Sequence, residues 1–323
     1  MKSFDLIQAN QPNEAVTLIQ SPGITRYIAG GTNILDLMKY EVESADTLVD
    51  INRLPFQKIE KTSNGLRIGA LVRNSDVSAD ATVTSEYPLL AQALLSGASQ
   101  QLRNMATVGG NLMQRTRCYY FYDPSTPCNK RNPGSGCGAL EGYNRIHAIL
   151  GASKNCIAVN PSDQNVALAA LDAVVQIKGS HGDRQIPVVD FHRLPGDTPQ
   201  FDTVLQPGEL ITAVDLPAKQ GGKSYYLKIR DRASYAFALV SVAVWMKTEG
   251  SMIRDLRIAL GGVAHKPWRK PELEQAMINK PATVATYREL AQQLLSGAKG
   301  FEHNSFKIKL AESAIVRALE TVS

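Results

Sequence analysis

The four cysteines of this 323-residue sequence lie in one short window, which makes them the strongest candidates for chemistry. They are Cys118, Cys128, Cys137 and Cys156. The chain around them is rich in proline and glycine, so it is predicted to be an irregular loop in which distant thiolates can converge. Four converging thiolates favour a [4Fe-4S] cluster. Basic residues in the same window would balance the charge of such a cluster, and these are Arg115, Arg117, Lys130 and Arg131.

Three other interpretations of the cysteines stay open. A structural zinc site usually has two close cysteine pairs, whereas the closest pair here, Cys128 and Cys137, has eight residues between its members. Two disulfides would require an oxidising compartment, and the N-terminal residues show no pattern of an export signal. Four unrelated thiols would not be expected to share one window. Iron is therefore favoured over zinc, and zinc over disulfides.

Two glycine pairs predict a binding site for phosphate groups. The first pair, at residues 30–31, lies between a predicted strand at residues 25–29 and a predicted helix at residues 34–39. Glycines let successive N–H groups face one point, and the N-terminus of the following helix adds partial positive charge, so this turn suits a phosphate. Thr32 or Asn33 is predicted to cap that helix.

The second glycine pair, at residues 109–110, follows a stretch of helical spacing at residues 89–103 and is flanked by Thr107 and Asn111. Two such turns could hold one pyrophosphate from two sides, which favours a dinucleotide of the flavin kind. Neither turn has the spacing G-x-G-x-x-G of nicotinamide-binding proteins. A third pair, at residues 261–262, is interpreted as structural because no helix start follows it.

The composition excludes several classes of protein. With 44% hydrophobic and 20% charged residues, the chain is long enough for two or three domains with large cores. The net charge of +5 is small, and basic residues are interspersed with acidic ones, so nucleic acid binding is not expected. The most apolar stretch, residues 236–246, is shorter than the roughly 20 residues of a membrane-spanning helix. It is predicted to be a buried strand.

Several motifs together resemble the FAD-binding subunits of the xanthine dehydrogenase, or molybdenum hydroxylase, family. They are Ala-Gly-Gly-Thr-Asn at residues 29–33, Gln-Leu-Arg-Asn at 101–104, Thr-Val-Gly-Gly-Asn at 107–111, Pro-Ser-Asp at 161–163, Lys-Ile-Arg-Asp-Arg at 228–232 and Ile-Ala-Leu-Gly-Gly-Val-Ala at 258–264. The similarity covers nearly the whole chain and is strongest to the [4Fe-4S]-containing FAD subunit of periplasmic aldehyde oxidoreductases. The long segment between Asn111 and Pro161, which is short in xanthine dehydrogenases, holds all four cysteines. The resemblance implies a [4Fe-4S] cluster there.

The resemblance also implies a set of FAD contacts. The first pyrophosphate turn would comprise Arg26, Tyr27, Ile28, Ala29, Gly30, Gly31, Thr32, Asn33 and Ile34. The second would comprise Thr107, Val108, Gly109, Gly110 and Asn111. Asp163 would accept hydrogen bonds from flavin hydroxyls, cap a helix at residues 164–171, or do both. Leu210, Lys228 and Tyr235 would lie beside the isoalloxazine ring, where the lysine would stabilise negative charge on the reduced flavin. Neither turn contains a His or Cys, so the FAD is expected to be non-covalent.

The implied fold class is α+β. A two-subdomain FAD-binding module of the vanillyl-alcohol-oxidase or PCMH type would span residues 1–218, with the iron–sulfur insertion at residues 112–160. An α+β C-terminal domain of the CO-dehydrogenase flavoprotein type would span residues 223–323, after a linker at residues 219–223. Helical apolar spacing at residues 306–319 predicts that the chain ends in a packed helix.

No triad, zinc site or carboxylate pair suited to substrate chemistry is recognised in the sequence, so substrate oxidation is expected on a partner. The resemblance implies a large molybdenum-cofactor subunit that oxidises an aldehyde and a small subunit with two [2Fe-2S] clusters. This chain would collect the electrons on FAD for an external acceptor. A 4-hydroxybenzoyl-CoA reductase-like or xanthine dehydrogenase-like complex is an alternative. A zinc-stabilised nucleotide-binding protein is an alternative of a different class.

The same resemblance implies a cellular compartment. The protein would lie in the periplasm, which it would reach by co-export with a partner that carries the signal. The lack of a signal pattern in the N-terminal residues leaves the cytoplasm as the alternative.

Overall fold

The chain begins with a small parallel sheet. The computed structural model describes residues 1–218 and 221–323. The first elements are β1 (Asp5–Gln8), α1 (Pro12–Leu18), β2 (Thr25–Ile28), α2 (Ile34–Lys39) and β3 (Thr47–Asp50), with the strands in the order β1-β3-β2. The central strand β3 pairs in parallel with both neighbours. Parallel strands end at the same edge of a sheet, so the first glycine turn, which follows β2, lies at the carboxyl edge, where ligands of such sheets bind.

A second subdomain packs helices against an antiparallel sheet. Its five strands, in the spatial order β4-β5-β8-β6-β7, are β4 (Ile59–Thr62), β5 (Gly65–Gly69), β6 (Val174–Gly179), β7 (Gly182–Pro187) and β8 (Leu210–Pro217). Its helices are α3 (Asn74–Ala79), α4 (Ala81–Glu86), α5 (Pro88–Ser96), α6 (Gln100–Met105), α7 (Val108–Leu112), α8 (Tyr119–Tyr122), α9 (Asp163–Ala170) and α10 (Val188–Phe191). Every residue of α9 is buried, so this helix forms the centre of the subdomain.

The C-terminal part combines a three-stranded antiparallel sheet with three helices. Its elements are β9 (Lys223–Ile229), β10 (Val240–Glu249), β11 (Met252–Gly261), α11 (Pro271–Ala276), α12 (Val284–Leu294) and α13 (Phe306–Val322), and β10 is the central strand. Alternate residues of β10 belong to different cores: Ala243 packs in the core that contains α9, whereas Val242 and Val244 pack in the core that contains α12 and α13. A strand covered on both faces is continuously apolar rather than alternating, which explains the run noted in the sequence.

The α+β fold class is confirmed by these mixed elements, with local differences from the sequence predictions. The apolar run predicted as a strand at residues 236–246 is a strand, but it begins at Val240. The helical stretch at residues 89–103 is divided into α5 and α6, because Gly97 is extended and Ser99 caps the second helix. The predicted linker at residues 219–223 falls partly outside the described residues. In the part of the chain that the structure describes, no helix is both long and apolar enough to cross a membrane.

Candidate functional site: two glycine turns and a cysteine loop

The two predicted glycine turns meet in the structure. A Cβ atom added to Gly30 would lie only 1.9 Å from the carbonyl oxygen of Met105, the last residue of α6. The guanidinium of Arg73 donates to that same carbonyl, and it also donates to Asn52, whose amide donates to the carbonyl of Ala29. Only glycine allows so close an approach of two backbones. The first turn is therefore held against the segment that leads into the second.

The first turn presents backbone N–H groups that the protein itself does not use. Within the described chain, none of the N–H groups of residues 30–33 donates a hydrogen bond to another protein atom. Gly31 has a positive φ of 72°, which turns the backbone sharply before α2. Unpaired N–H groups at the start of a helix are ready donors to an anion, and the helix dipole favours negative charge at the same end. These residues fit a phosphate group.

The second turn differs from the expectation that it would offer its N–H groups in the same way. The N–H of Val108 donates to the carbonyl of Val72 at 3.0 Å, and that of Gly109 donates to the carbonyl of Ala70 at 2.8 Å. The N–H of Gly110 faces the hydroxyl of Thr107 at 3.2 Å, where the threonine caps α7. The segment after β5 accepts the first two of these N–H groups, and the contact of this turn with a pyrophosphate stays a prediction. The N–H groups of the second turn are thus bound within the protein, unlike those of residues 30–33.

Asn33 does not cap α2, so that prediction is wrong, and α2 has no side-chain cap at this position. Its backbone is already helical, and its side-chain oxygen instead accepts the N–H of Arg115 at 2.8 Å. Its side-chain nitrogen is buried and, among the described residues, has no hydrogen-bond partner. A buried amide donor without a partner is rare in native proteins, so this atom is available to a ligand of the turn.

The Pro-Ser-Asp motif joins the second turn to the C-terminal part. Ser162 caps α9 by accepting the N–H of Asn165 and donates its hydroxyl to the side-chain oxygen of Asn111 at 2.7 Å. The cap is therefore Ser162 and not Asp163. Asp163 instead forms a buried ion pair of 2.7 Å with Lys228 and accepts the hydroxyl of Tyr226 at 2.7 Å. Lys228 is thus paired with a carboxylate rather than free.

A cleft of about 380 Å³ opens beside this ion pair. It is lined by Ser162 and Asp163 from the motif, by Gly261 and Gly262 from the end of β11, and by Phe237. The third glycine pair, interpreted as structural from the sequence, therefore forms one wall of this cleft.

The remaining predicted FAD residues lie in varied surroundings. Arg26 pairs with Glu43 at 3.8 Å, and burial raises the pKa of Tyr27 above its usual range. Leu210 is buried in the core of the N-terminal subdomain. Tyr235 is 56% exposed with a φ of 52°, so its ring is accessible from solvent. The roles proposed for Leu210, Lys228 and Tyr235 at a flavin ring stay predictions.

The four cysteines line one cavity of about 280 Å³, together with Ala139 and Ala158. All four are free thiols, so the alternative of two disulfides is not realised. Burial, together with the neighbouring thiol groups, raises the pKa of Cys118 to about 12 and that of Cys156 to about 11. Thiols in such surroundings ionise only when a cation binds them. No three His, Cys, Asp or Glu side chains among the described residues are placed to share a single metal ion, which the zinc alternative requires.

Backbone N–H groups are directed at the cysteine sulfurs. They come from Tyr120 and Phe121 to Cys118, from Ala139, Leu140 and Ile157 to Cys137, and from Ala158 to Cys156. Each of these hydrogen bonds favours the thiolate form, so the loop already contains donors for negatively charged sulfur.

Three of the four basic residues of the cysteine loop bind segments outside it. Their role in balancing the charge of a cluster stays a prediction, and the charge of Lys130 acts to lower the pKa of Cys156. Lys130 is buried and donates to Asp202 at 2.6 Å, to the carbonyl of Pro199 at 2.7 Å, and faces His265 at 2.7 Å. Arg115 pairs with Asp202 at 2.5 Å and also with Glu43.

Arg117 also reaches outside the loop, whereas Arg131 binds carbonyls within the loop itself. Arg117 pairs with Asp36 of α2 at 3.3 Å and contacts the hydroxyl of Tyr122. Arg131 donates to the carbonyl oxygens of Tyr120 and Phe121 at 2.8 and 2.9 Å. We call Arg115, Arg117 and Lys130 with these partners the loop clasp, because they fix the cysteine loop to both parts of the chain.

His147 is a functional candidate that sequence reasoning missed. Its Nε2 atom lies 3.1 Å from the sulfur of Cys118. Burial, together with the nearby charge of Lys307, lowers its pKa to about 4, so the imidazole is neutral. No motif surrounds it in the sequence, and only the folded loop brings it to the cysteines.

Comparisons with known proteins agree with this architecture. Residues 2–219 match the FAD binding domain in molybdopterin dehydrogenase, and residues 225–322 match the CO dehydrogenase flavoprotein C-terminal domain. The chain is 52% identical to the aldehyde oxidoreductase FAD-binding subunit PaoB of Escherichia coli K12, over 99% of this chain and 98% of that one. It is 31% identical to the glyceraldehyde dehydrogenase medium chain of Sulfolobus acidocaldarius, over 91% of this chain and 87% of that one.

A solved structure shows the same fold. The carbon monoxide dehydrogenase of Hydrogenophaga pseudoflava contains a chain that superposes with a TM-score of 0.78 at 24% identity, covering 99% of this chain and 97% of that one. The two family matches together span nearly the whole sequence, and the boundary between them falls just after β8. The chain therefore belongs to the family of FAD-binding subunits of molybdopterin-dependent oxidoreductases, the molybdenum hydroxylases.

Proposed function

We propose that this chain is the FAD-carrying electron-transfer subunit of a molybdenum-dependent aldehyde oxidoreductase. The observation that carries the FAD assignment is the row of unpaired N–H groups at residues 30–33, at the start of α2 and beside the buried amide of Asn33. The aldehyde assignment rests on two relatives, at 52% and 31% identity, whose names specify aldehyde and glyceraldehyde oxidation.

The residues of this chain would hold FAD in a fixed orientation. The N–H groups of residues 30–33 would bind the pyrophosphate, with the side chains of Thr107 and Asn111 close to the same edge. The cleft beside the Asp163–Lys228 ion pair would receive the flavin ring, and its apolar wall at Phe237 would exclude water from one side. When bound, FAD can accept electrons one at a time and release a pair.

Two partner subunits belong to this proposal. A large subunit with the molybdenum cofactor oxidises the aldehyde, and a small subunit with two [2Fe-2S] clusters passes the electrons to this chain. An external acceptor then takes them from the flavin. The complex is tested by co-expressing this chain with both partners and measuring aldehyde-dependent bleaching of the flavin absorbance without oxygen. Bleaching by xanthine but by no aldehyde would overturn the substrate assignment.

Non-covalent binding of the flavin is tested separately. The FAD is expected to be released by acid, because no Cys or His lies in either glycine turn. Acid precipitation of the purified subunit should leave the yellow colour in the supernatant, whereas colour in the pellet would contradict it.

We also propose that the cysteine loop binds one [4Fe-4S] cluster. The support is that four free thiols line one cavity, and that backbone N–H groups are directed at three of the sulfurs. A four-iron core is several atoms wide, so its four ligands stand further apart than those of one metal ion. Hydrogen bonds to the sulfurs and burial are features that tune such clusters.

Replacement of one ligand tests the cluster. Cys128→Ser should lose about four irons per subunit, which is the count of one cluster. FAD should be partly retained, because its proposed contacts lie mainly outside the loop. Ser125→Ala is the control, because this exposed serine lies in the same loop and its hydroxyl donates to Asp123 rather than to a segment that holds a cysteine. Full iron and sulfide content in Cys128→Ser would show that Cys128 is not a ligand.

The location in the cell is a further proposal from the same resemblance. Co-export to the periplasm with a signal-bearing partner would place the subunit outside the cytoplasm only when that partner is present. Fractionation of cells with and without the partner tests it. Equal cytoplasmic content in both would contradict co-export.

A further inference from the structure

The four cysteines differ in the groups that face their sulfurs. Cys137 and Cys156 are approached by backbone N–H groups, whereas Cys118 is also approached by the ring nitrogen of His147 at 3.1 Å. Within residues 1–218 and 221–323, no other cysteine has a histidine in contact with its sulfur. The loop is therefore asymmetric, and one of its four proposed ligands has an additional hydrogen-bond partner.

The direction of this hydrogen bond follows from the surroundings of the ring. A cysteine that binds iron is a thiolate and can only accept, so the proton must be on Nε2 of His147. Nδ1 then carries a lone pair, and this atom is buried without a hydrogen-bond partner in the described structure. The opposite tautomer would leave an unpaired N–H donor buried in the same place, which is rarer in proteins than an unpaired acceptor.

The backbone of His147 is held by two residues at the start of helix α13 and just before it. The ammonium group of Lys307 donates to the carbonyl of His147 at 2.8 Å, and the amide of Asn304 donates to it at 3.2 Å. The rings of Tyr119 and Tyr120 both contact the imidazole, and the centroid of each ring lies 6.3 Å from that of His147. A donor held in this way does not need to reorganise when charge arrives on the sulfur.

We propose that His147 is a positioning residue that donates a hydrogen bond from Nε2 to Cys118 and raises the reduction potential of the cluster. The inference rests on the proposed cluster. One electron enters the cluster on reduction and the proton stays on Nε2, so the hydrogen bond strengthens as negative charge on the sulfur increases. Removal of the donor destabilises the reduced form more than the oxidised form.

Paired variants in the assembled complex test this role. His147→Phe keeps a ring and removes the donor, whereas His147→Gln keeps an N–H at a similar distance. A redox titration followed by electron paramagnetic resonance should show a lower potential for the phenylalanine variant, by about tenfold in the one-electron equilibrium constant, or ~59 mV. The glutamine variant should recover most of the shift. His181→Phe, in the exposed hairpin between β6 and β7, is the matched control and should not change the potential.

A second measurement covers the case in which His147→Phe loses its iron. The wild-type complex is prepared with ¹⁵N-labelled histidine, and the reduced cluster is examined by electron–nuclear double resonance. Among the five histidines, only His147 contacts a cysteine in the described structure, so a weak ¹⁵N coupling with an exchangeable proton supports the hydrogen bond.

Three results would overturn the inference. One is an unchanged potential in an iron-replete His147→Phe variant. Another is the absence of any ¹⁵N coupling in an iron-replete wild-type complex. The third is a coupling as large as that of a directly bound nitrogen, which would make His147 a ligand. A wild-type complex with only the iron of its [2Fe-2S] partner would instead refute the proposed cluster, so failure of the two proposals is distinguishable.

Discussion

The glycine turns and the cysteine loop are positioned by different kinds of contact. The first turn is placed by regular elements, between β2 and α2, and by the close approach of Gly30 to the backbone of Met105. The cysteine loop contains one short helix, α8, and is otherwise irregular. It is held by the loop clasp, in which cations such as Lys130 reach acidic side chains and carbonyls of other segments.

This difference predicts different responses to mutation. A turn fixed by backbone packing fails abruptly when one atom is added, because backbone cannot move aside as a side chain does. A loop fixed by several charged side chains loses stability in steps, because each contact contributes separately. Four predictions test the contrast, beginning with the largest expected effect.

Gly30→Ala is expected to be the most damaging single change. The new Cβ would lie 1.9 Å from the carbonyl oxygen of Met105 and 3.1 Å from the guanidinium of Arg73. We expect a loss of about 4 kcal/mol or more in the free energy of unfolding, with little bound FAD. Thermal unfolding and the flavin-to-protein absorbance ratio measure both effects.

Gly110→Ala is the matched comparison in the second turn. There the added atom would meet only the hydroxyl of Thr107, at 3.0 Å, which can rotate away. The loss in unfolding temperature should therefore be much smaller than for Gly30→Ala. Equal losses would mean that the contact with Met105 is not what fixes the first turn.

Lys130→Met tests the loop clasp. The change leaves Asp202 and His265 without the buried ammonium group between them, and breaking one side of a buried ion pair costs about 3 kcal/mol. We expect a lower unfolding temperature and faster proteolysis of residues 112–160. Lys154→Met removes an exposed lysine from the same loop and should change stability by less than about 0.5 kcal/mol. Similar effects of both changes would show that the clasp does not hold the loop.

The contrast also explains what the sequence could and could not predict. The bounds of β2 and α2 follow from local periodicity and from the glycine turn, so both elements were predicted to within one residue, whereas β1 was not predicted. The clustering of the cysteines could also be predicted, because the four residues are close together in the sequence itself.

Contacts between distant segments were not predictable in this way. Lys130 and Asp202 are 72 residues apart, and the carbonyls that take the N–H groups of Val108 and Gly109 belong to the segment after β5. Local spacing carries no signal of such partners, so the contacts of Lys130 and of the second turn within the protein could not be predicted. His147 was missed because its role exists only once the loop has folded against α13.

Acid should weaken the clasp in a defined range of pH. Burial alone would raise the pKa of Asp202, but the charges of Lys130 and Arg115 lower it to about 2. Because the folded pKa is below the unfolded value of about 3.9, this group stabilises the protein above pH ~4, and the contribution is lost as the pH falls towards 2. A shift of this size corresponds to roughly 2 to 3 kcal/mol. Asp202→Asn should be less stable at pH 7 and should lose less stability than wild type between pH 4 and 2.

Urea unfolding of both proteins at several pH values measures this difference. Asp183, which is 70% exposed and pairs with Lys178 at 3.6 Å in the hairpin of β6 and β7, supplies the control variant Asp183→Asn. That change should leave the slope between pH 4 and 2 close to wild type, because an exposed pair contributes little. Parallel curves for wild type and Asp202→Asn would contradict the assignment.

The smallest effect is expected at Asn33, where the two regions meet. Its side-chain oxygen accepts the N–H of Arg115, at the start of the cysteine loop, and its buried nitrogen has no protein partner in the described structure. Asn33→Ala should lower stability by about 1 kcal/mol through the lost acceptor. It should also weaken FAD binding by about tenfold if the nitrogen donates to the pyrophosphate, since that factor corresponds to about 1.4 kcal/mol.

Asn33→Asp separates these two roles. The carboxylate still accepts the N–H of Arg115, so stability should return to that of wild type, but it offers no donor and repels phosphate, so FAD affinity should fall further than in Asn33→Ala. Thermal unfolding of the FAD-free subunit and flavin fluorescence titration measure the two quantities independently. If stability and FAD affinity fell in the same proportion in both variants, the loss of FAD would be a consequence of lost stability, and the side-chain nitrogen of Asn33 would have no separate role at the flavin site. Opposite responses would show that a single side chain supports the cysteine loop with its oxygen and the flavin site with its nitrogen.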